Sequence, residues 1–385
     1  MNFDFSPEQE ELRRQAQRVL GMGVGAARAM LDSDASYDAV LWKQIVELGW
    51  TAAAIPEALG GLGLGALEQC VLAEELGRTL APVPFSSSAI LATEALKVAE
   101  SSGSEAAKSW LSKLATGDVI ATVGFSEAGA TPGWLALPRT RVVDGRISGV
   151  KTLVADAGAA QLMIVSARAN EDGEGYGLWL VELDGVGVVR MPVETIDRVR
   201  RHAAVHFEQA PAIRLGLPAS GAVAVERLMQ FAAVLDAFEQ LGGAEAVLAL
   251  TVDYVKTRKA FGREVGGYQA VKHRLADMYV KIQLARSHAW FGAWALTENA
   301  PQLPRAAAGA RLAAIEAFTF AAEEAVELHG GIGFTWESDC QLYYRRARLL
   351  AMAQGGRPLW AKTLAYALQG EAILGRPGAT STAAA

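Results

Sequence analysis

Apolar residues recur at helical spacing along the first third of the chain. Ser6-Pro7 has the signals of a helix start, a serine N-cap followed by proline at the first helical position, and charged and apolar residues alternate from there to Leu20. Apolar residues also recur at i, i+3 and i+4 in four later segments, which end near glycine or proline and span 37–50, 66–80, 86–100 and 105–117. The pattern predicts an all-helical N-terminal domain over residues 1–117.

The period of the pattern changes near Gly117. β-branched residues then alternate with polar ones in segments such as DVIATVGF, TRVVDGRISG and AQLMIVSAR. Asp144-Gly145 lies between two such runs and is a strong signal for a hairpin turn. These features predict a central antiparallel β domain over residues 118–218.

Helical spacing returns after Pro218. Two apolar stripes follow: Leu228, Phe231, Leu235, Phe238 and Leu241, and then Val271, Leu275, Met278 and Ile282. An alanine-rich helix begins near Pro304 and ends at Gly330-Gly331. We predict a C-terminal four-helix bundle over residues 219–374, a polar tail over 375–385, and α+β as the fold class of the chain.

Charge and cysteine usage narrow the class of protein. The formal net charge is −6, which gives the chain no general attraction for nucleic acid. Cys70 and Cys340 are the only cysteines and form no C-x-x-C motif, which suggests a reducing compartment. His202 and His206 are four residues apart, but their segment has strand character, so we predict no metal site. With no leader pattern and no spanning segment, we expect a cytoplasmic protein that does not enter membranes.

Two blocks carry a family resemblance. YVKTRKAFGREVGGYQAVKHRLADMY (254–279) and AVELHGGIGFTWESDCQLYYRRAR (325–348) closely resemble signature segments of the flavin-dependent acyl-CoA dehydrogenases. With the helical, β, helical order, the resemblance covers nearly the whole chain. It implies an oxidation of an acyl-CoA thioester in which a carboxylate removes the α proton, FAD takes a hydride from the β carbon, and an electron-transfer flavoprotein-type acceptor reoxidises the flavin.

The resemblance also implies an FAD site shared between two chains, with its ADP end held by the bundle of one chain and its isoalloxazine by the β domain of the other. In this sequence it assigns the donated half to Arg258 for the pyrophosphate, Phe261 for the adenosine region, Val265, Tyr268 and Gln269 for the adenine end, and Gly331 for close backbone approach. A guanidinium offers a planar fork for phosphate oxygens. Glu327 stands where the family usually has glutamine, and a carboxylate there would repel a phosphate.

The half that would hold the isoalloxazine departs from the family pattern. SEAGATPG (126–133) keeps Ser126-Glu127 of the T-E-P motif but loses the proline and its spacing. LVAD (153–156) stands where the family reads W-I-T-N. Leu153 cannot stack as tryptophan does, and Ala155 has no hydroxyl to donate. We interpret KTLVAD as a buried strand end.

The general base is missing from both positions where the family places it. One position lies 25 residues after His329 and is Gln354; the other lies 22 residues before Tyr254 and is Ala232. Neither side chain can accept a proton at neutral pH. Asp236 and Glu239 share a helical face with Ala232 and could replace the base. The alternative is that they are buried or interface-paired carboxylates.

Three functions fit these observations. The first is a base-lacking partner subunit of a heterotetrameric acyl-CoA dehydrogenase for fatty acyl, steroid or other bulky acyl groups, which donates half of the FAD site to a second family chain. The second is a self-sufficient, homo-oligomeric dehydrogenase whose base has moved to Asp236 or Glu239. The third is a binding protein that has the family fold but no redox chemistry.

Overall fold

The structure is a computed structural model that describes residues 5–101, 103–128, 137–169, 176–216 and 221–369. Its elements follow the predicted order of helices, strands and helices. The N-terminal helices are α1 (Pro7–Leu20), α2 (Gly25–Leu31), α3 (Ala39–Glu47), α4 (Ala66–Thr79), α5 (Thr93–Ser101) and α6 (Glu105–Ala115). At the start of α1 the Ser6 side chain accepts a hydrogen bond from the Gln9 amide, and the Gln9 side chain accepts one from the Ser6 amide. The predicted start of this helix is therefore confirmed.

The segment predicted as one helix over 86–100 differs from that expectation. A π-helix spans Phe85–Ala92, and α5 begins only after it. Three consecutive serines explain the departure, because their hydroxyls bond to other elements. The hydroxyl of Ser86 donates to Glu239 at 3.0 Å, that of Ser87 donates to Asp156 at 2.6 Å, and that of Ser88 accepts from the Ala121 amide at 3.0 Å.

The central part is a twisted sheet. Its strands are β1 (Ala121–Gly124), β2 (Arg141–Val143), β3 (Arg146–Ala155), β4 (Leu162–Ala169), β5 (Tyr176–Glu182), β6 (Val188–Val193), β7 (His202–Pro211) and β8 (Ile213–Leu215). Seven of them are ordered β6-β7-β3-β2-β4-β5-β8, and β1 pairs with β4 beside this path. Most pairs are antiparallel as predicted, whereas β1 and β2 each run parallel to β4.

The turn between β2 and β3 is the predicted hairpin. Asp144 and Gly145 have φ of 49° and 69°, the left-handed conformation that both central residues of a type I′ turn require. Val143 pairs with Arg146 directly across the turn. The Asp-Gly signal therefore gave both the position and the register of the hairpin.

Long helices form the C-terminal part. They are α7 (Gly221–Thr257), α8 (Gln269–Thr297), α9 (Leu303–His329), α10 (Cys340–Met352) and α11 (Arg357–Gln369). A small hairpin of β9 (Lys259–Ala260) and β10 (Arg263–Glu264) lies between α7 and α8. All five residues of the first predicted stripe are buried on α7, and α9 ends where Gly330 takes a φ of 64°. Residues 370–385, including the predicted tail, lie outside the described part.

Helices α4 and α7 cross with their backbones in close contact. A Cβ built on Gly77 would lie 1.9 Å from the carbonyl oxygen of Glu239, and one built on Gly242 would lie 1.8 Å from that of Glu74. The crossing therefore requires a glycine from each helix. It fixes α7 against the N-terminal helices at the level where Asp236 and Glu239 project.

None of the described helices combines the length and the apolar composition needed to cross a lipid bilayer.

Candidate active site and cofactor surface

A cleft of about 140 Å³ lies where the three parts of the chain meet. The N-terminal part contributes Ser86, Ser87 and Leu91 of the π-helix. The sheet contributes the segments 122–126 and 152–156 from the ends of β1 and β3, and the bundle contributes Asp236 of α7 and residues 349, 350 and 352–354 at the end of α10. The cleft thus brings together six residues singled out from the sequence, namely Ser126, Leu153, Ala155, His202, Asp236 and Gln354.

Three residues that line this cleft have left-handed backbones without being glycine. Leu153, Asp156 and Gln354 have φ of 51°, 57° and 48°. Each such conformation costs roughly 1–2 kcal/mol and persists only where the surroundings impose it. Strain of this kind collects at functional sites, so its concentration here is a reason to treat the cleft as a site.

Asp236 reaches the cleft as a carboxylate with unused acceptor capacity. The residue is 6% exposed, and its Oδ2 is buried without a hydrogen bond from any residue in the described part of the chain. The nearest opposite charge is Arg311, with Nη2 3.6 Å from Oδ2. Burial raises the pKa of Asp236 to about 6, although Arg311 opposes the shift.

Arg311 also holds the end of α10 against Asp236. This fully buried guanidinium donates to Gln240 Oε1 at 2.6 Å, to the carbonyl of Ala353 at 2.9 Å and to that of Leu350. Gln354 follows directly, and its Oε1 is buried without a hydrogen-bond partner among the described residues. Arg311 therefore fixes Asp236 and Gln354 as neighbouring walls of one cleft.

Glu239, the other carboxylate proposed as a replacement base, does not line the cleft. Its oxygens accept from Arg200 at 2.6 Å, from Ser86 at 3.0 Å and from Arg346 at 3.4 Å. Burial alone would raise its pKa, yet Arg200 and then Arg346 hold the pKa of Glu239 below the ordinary value. Its carboxylate accepts hydrogen bonds from one residue of each part of the chain: the N-terminal helices, the β part and the bundle. Ala232 is also fully buried and does not line the cleft.

Asp156, Arg200 and His202 are further titratable groups that line the cleft. Burial raises the pKa of Asp156 to about 6, against the opposing influence of Arg200 and of the hydrogen bond from Ser87. Burial, together with the charge of Arg200, lowers the pKa of His202 to about 4, so this imidazole is neutral at physiological pH. No group of three residues suited to hold a metal ion occurs among the described residues.

We expect Asp156→Asn to stabilise the protein in a pH-dependent manner. A carboxyl whose pKa is higher in the folded state favours folding below pH 4, and this contribution is lost as the pH rises through about 6. Asparagine tolerates φ of 57° and does not titrate. The advantage of the mutant should therefore grow between pH 4 and pH 6 and then stay constant, at roughly 1–3 kcal/mol.

Thermal midpoints of both proteins across that pH range measure this effect. Asp144→Asn is the matched control, because Asp144 is also left-handed but lies exposed in the hairpin turn. A mutant advantage that is flat with pH, or equal for the two positions, would contradict the expectation.

A buried ion pair stands behind the strand ends that line the cleft. Lys151 is completely buried on β3, and its Nζ lies 2.6 Å from Glu127 and 3.1 Å from Ser166 Oγ. Burial lowers the pKa of Lys151 to about 8, although Glu127 favours the charged form. Glu127 also accepts from the backbone amides of Arg139 and Thr140. The pair fixes Ser126-Glu127 in place, while residues 129–133 of the SEAGATPG segment lie outside the described residues.

The interpretation of KTLVAD as a buried strand end is wrong for Leu153. This side chain is 56% exposed and lines the cleft, because the left-handed backbone at Leu153 turns it away from the core. It reaches the site but offers neither a stacking ring nor a donor. Ala155 also lines the cleft, and its carbonyl accepts from Thr122 Oγ1 at 2.6 Å, which ties the ends of β1 and β3 together.

The residues assigned to the ADP end of FAD lie at another surface. Arg258 follows α7 directly, is exposed, and forms no ion pair with any residue that the structure describes. At the tip of the β9–β10 hairpin Phe261 is 97% exposed with φ of 53°. Val265 and Tyr268 are half-buried behind it, and Gln269 is exposed at the start of α8. The Tyr268 hydroxyl donates to the Ala260 carbonyl at 3.1 Å, which holds the hairpin against α8.

The end of α9 lies against the last turns of α7, which lead into this hairpin. Tyr254 stacks on His329 with ring centroids 4.2 Å apart and donates its hydroxyl to the His329 carbonyl at 3.2 Å. Gly331 follows and is exposed with open space around it, as close backbone approach would require. Glu327 is exposed as well and lines a groove of about 420 Å³ with Phe334 and Arg345.

Arg311 and Lys151 organise the cleft, yet neither was singled out from the sequence. A signal for Arg311 existed, since it interrupts an apolar stripe of the alanine-rich helix, where Ala307, Ala310 and Ala314 are all buried. A charge at such a position requires a buried partner. Which carboxylate supplies it depends on how α7 packs on α9, and sequence spacing does not give that.

Comparison with known proteins agrees with this architecture. Sequence models described as acyl-CoA dehydrogenase N-terminal domain and C-terminal domain match residues 6–118 and 219–366. The chain is 35% identical over 345 residues to the protein named acyl-CoA dehydrogenase IpdE2 of Mycobacterium tuberculosis (strain ATCC 25618 / H37Rv), covering 89% of this chain and 91% of the relative.

Two solved structures are similar over nearly their full length. One is a variant of the protein named Tcur3481-Tcur3483 steroid ACAD, which is 29% identical to this chain with a TM-score of 0.84. The match covers 94% of this chain and 98% of the chain in that structure. The other is the ChsE4-ChsE5 complex from Mycobacterium tuberculosis, which is 26% identical to this chain with a TM-score of 0.86. The match covers 97% of this chain and 100% of the chain in that structure.

Proposed function

Since this chain belongs to the acyl-CoA dehydrogenase family, whose members are FAD-dependent oxidoreductases that act on acyl-CoA, we propose that it is the partner subunit of a heteromeric enzyme. In this proposal its bundle donates the ADP-binding half of an FAD site to a second family chain. That second chain supplies the general base and the isoalloxazine pocket. The chemistry that FAD would supply at this shared site is that of an acceptor for the hydride from the β carbon of the acyl group.

The proposal rests on a difference between the two surfaces of this chain that would bind FAD: the surface for the ADP end has suitable groups, and the cleft for the isoalloxazine does not. Arg258 offers an exposed guanidinium without an ion pair among the described residues, which suits a pyrophosphate. The chain's own cleft does not suit an isoalloxazine. Leu153 and Ala155 line it where the family has a stacking ring and a donor, and these two side chains provide neither for a flavin.

The relatives support a two-chain assembly. The solved structure of ChsE4 and ChsE5 is a complex of two differently named chains, and the structure named as a steroid ACAD also carries two chain names, Tcur3481 and Tcur3483. We infer a bulky, steroid-type acyl group for the heteromer from this likeness. An electron-transfer flavoprotein-type acceptor would then reoxidise the flavin.

One observation favours the second candidate, a self-sufficient dehydrogenase. Asp236 lines the cleft as a buried carboxylate with a pKa of about 6, which is the range in which a general base is effective. In that case Asp236→Asn would abolish flavin reduction by an acyl-CoA in a protein that purifies alone with full FAD. In the heteromer, the same change would leave flavin reduction intact, because the partner chain holds the base.

FAD content and anaerobic bleaching distinguish the candidates. We expect the lone chain to purify with little FAD, and the chain co-purified with a second family member from an adjacent gene to contain stoichiometric flavin that acyl-CoA thioesters bleach. A full complement of bleachable FAD on the lone chain would favour the second candidate. A flavin-free complex would favour the third, a binding protein without redox chemistry.

We also predict that Gln354→Glu does not confer dehydrogenase activity on the lone chain. The new carboxylate would lie in the cleft at the family's usual base position, but Leu153 and Ala155 provide no stacking or donor group for a flavin there. Base and hydride acceptor must share one geometry, and a base alone contributes only about 10²–10⁴ in rate. The measurement is anaerobic flavin bleaching by a panel of acyl-CoA thioesters, with the wild-type complex as positive control. Bleaching of the lone mutant would contradict the prediction.

A further inference from the structure

We propose that Arg263 is the residue of this chain that selects FAD over FMN, because its guanidinium offers a flat surface on which the adenine ring of FAD stacks. FMN lacks the adenosine part of FAD and cannot make this contact. The inference rests on the proposed function, since it deepens the role of the surface for the ADP end. Three observations carry it: the contact of Arg263 with Tyr268, its exposure, and its place on the β9–β10 hairpin.

Arg263 is held in place by an aromatic ring. Its guanidinium carbon lies 3.8 Å from the centroid of the Tyr268 ring, which is the distance of a stacked cation–π contact. Tyr268 is fixed in turn, because its hydroxyl donates to the Ala260 carbonyl at 3.1 Å, and Ala260 is the strand partner of Arg263. The arginine is therefore positioned by its own hairpin before any ligand binds, which lowers the entropy cost of binding.

This contact changes the role that the family resemblance assigns to Tyr268. Arg263 covers one face of the Tyr268 ring, and Tyr268 is half-buried. The group presented to solvent is Arg263 itself, which is exposed and forms no ion pair with any residue in the described part of the chain. A guanidinium plane stacks on a nucleobase as an aromatic ring does. At this surface Arg263, rather than Tyr268, therefore offers the outer face on which an adenine stacks.

Arg258 and Arg263 share one face of the hairpin. The Arg258 carbonyl accepts from the Val265 amide at 2.8 Å, which extends the pairing of β9 with β10 by one step. Alternation places Arg258 on the same face as Ala260, and Arg263 pairs directly with Ala260. Two residues of strand correspond to about 7 Å. In FAD one ribose separates the pyrophosphate from the adenine, so Arg258 suits the first group and Arg263 the second.

A different role for Arg263, as a charge for the phosphates, gives a different expectation. FAD and FMN both carry phosphate, whereas only FAD carries adenine. A loss of charge therefore weakens the binding of both flavins, and a loss of stacking weakens the binding of FAD alone. Lysine separates the two roles, because it keeps the charge of Arg263 but not its plane.

Titration of the flavin-free complex with FAD and with FMN, followed by flavin fluorescence, tests the inference. The complex consists of the full-length chain and its co-purified second family chain. Arg263→Ala and Arg263→Lys should each lower the affinity for FAD about tenfold and leave that for FMN unchanged. Tenfold corresponds to about 1.4 kcal/mol, which is within the range for stacking of one base. Lys259→Ala, which removes another exposed cation of the hairpin, should change the affinities for both flavins by the same factor.

The possible failures are distinguishable. Wild-type affinity for FAD in Arg263→Ala would overturn the inference, and so would equal losses for FAD and FMN or full affinity for FAD in Arg263→Lys. These results would leave the proposed function intact, because the complex would still bind flavin. A complex that binds no flavin would overturn both. Thermal midpoints of the lone chain show whether each variant is folded.

Discussion

Replacing Arg258 by alanine is expected to remove most of the FAD from the assembled complex while leaving the fold of this chain unchanged. The side chain is exposed just beyond the last turn of α7 and forms no ion pair with the described residues, so its loss leaves no buried charge unpaired. A two-pronged contact to a phosphate consists of two charge-assisted hydrogen bonds of roughly 1.5–3 kcal/mol each. Flavin affinity should therefore fall by at least about 100-fold.

Absorbance and released flavin per complex measure this effect, with thermal midpoints of the lone chain as the test of folding. The flavin content of Arg258→Lys should lie between those of wild type and Arg258→Ala, because lysine keeps the charge but not the planar fork. Arg305→Ala removes another exposed arginine, at the start of α9, and should retain full flavin. If Arg258→Ala retains full flavin as well, this hairpin does not hold the cofactor.

Gly242→Ala is expected to cause the largest loss of stability among the variants considered. The added Cβ would lie 1.8 Å from the Glu74 carbonyl oxygen, inside contact distance with a backbone atom that cannot rotate away. Helices α4 and α7 would have to separate, and Gly77 meets the Glu239 carbonyl in the same crossing. Overpacking of this kind belongs to the upper range of single mutations, about 3–5 kcal/mol. The thermal midpoint should fall by roughly 4–6 °C.

Gly309→Ala provides the matched control. Gly309 lies inside α9, and its added Cβ would meet only the His288 side chain, at an ordinary 3.4 Å. Alanine there should be neutral or stabilise by roughly 0.5–1 kcal/mol through helix propensity. Equal midpoints for the two variants would show that the α4–α7 crossing can relax.

Local rules predicted those elements whose signals lie within the element itself. The helix start at Ser6-Pro7, the Asp144-Gly145 hairpin and the end of α9 at Gly330 each depend on a few adjacent residues. The parallel pairing of β1 and β2 with β4 was not predictable in this way, because it depends on connections distant in sequence. The π-helix was missed for a similar reason, since its serines bond to Glu239, Asp156 and Ala121.

In the candidate site too, local signals indicated some residues, and only the three-dimensional packing shows the role of others. Family motifs indicated Arg258, Phe261 and Gln354 as candidates, and the helical period indicated Asp236, which lines the cleft. The same period offered Glu239 equally, and only the packing of Arg200 and Arg346 shows that it is engaged. Leu153 was misjudged because alternation assumes an extended backbone, whereas its φ is 51°. A backbone in the left-handed region cannot be anticipated for a leucine.

The continuity of α7 has a mechanical consequence. Its 37 residues form one helix, so Asp236 at the cleft and Arg258 beyond the last turn are about 33 Å apart along a rigid rod. The close contact with α4 at Gly242 lies six residues after Asp236, so α7 would pivot about this point. A tilt of about 5° around it would displace the hairpin, about 24 Å away, by roughly 2 Å, comparable to the difference between a made and a broken hydrogen bond. If the hairpin holds FAD as proposed, a tilt of α7 at the cleft would therefore change the affinity for FAD, and by reciprocity bound FAD would favour one tilt of α7.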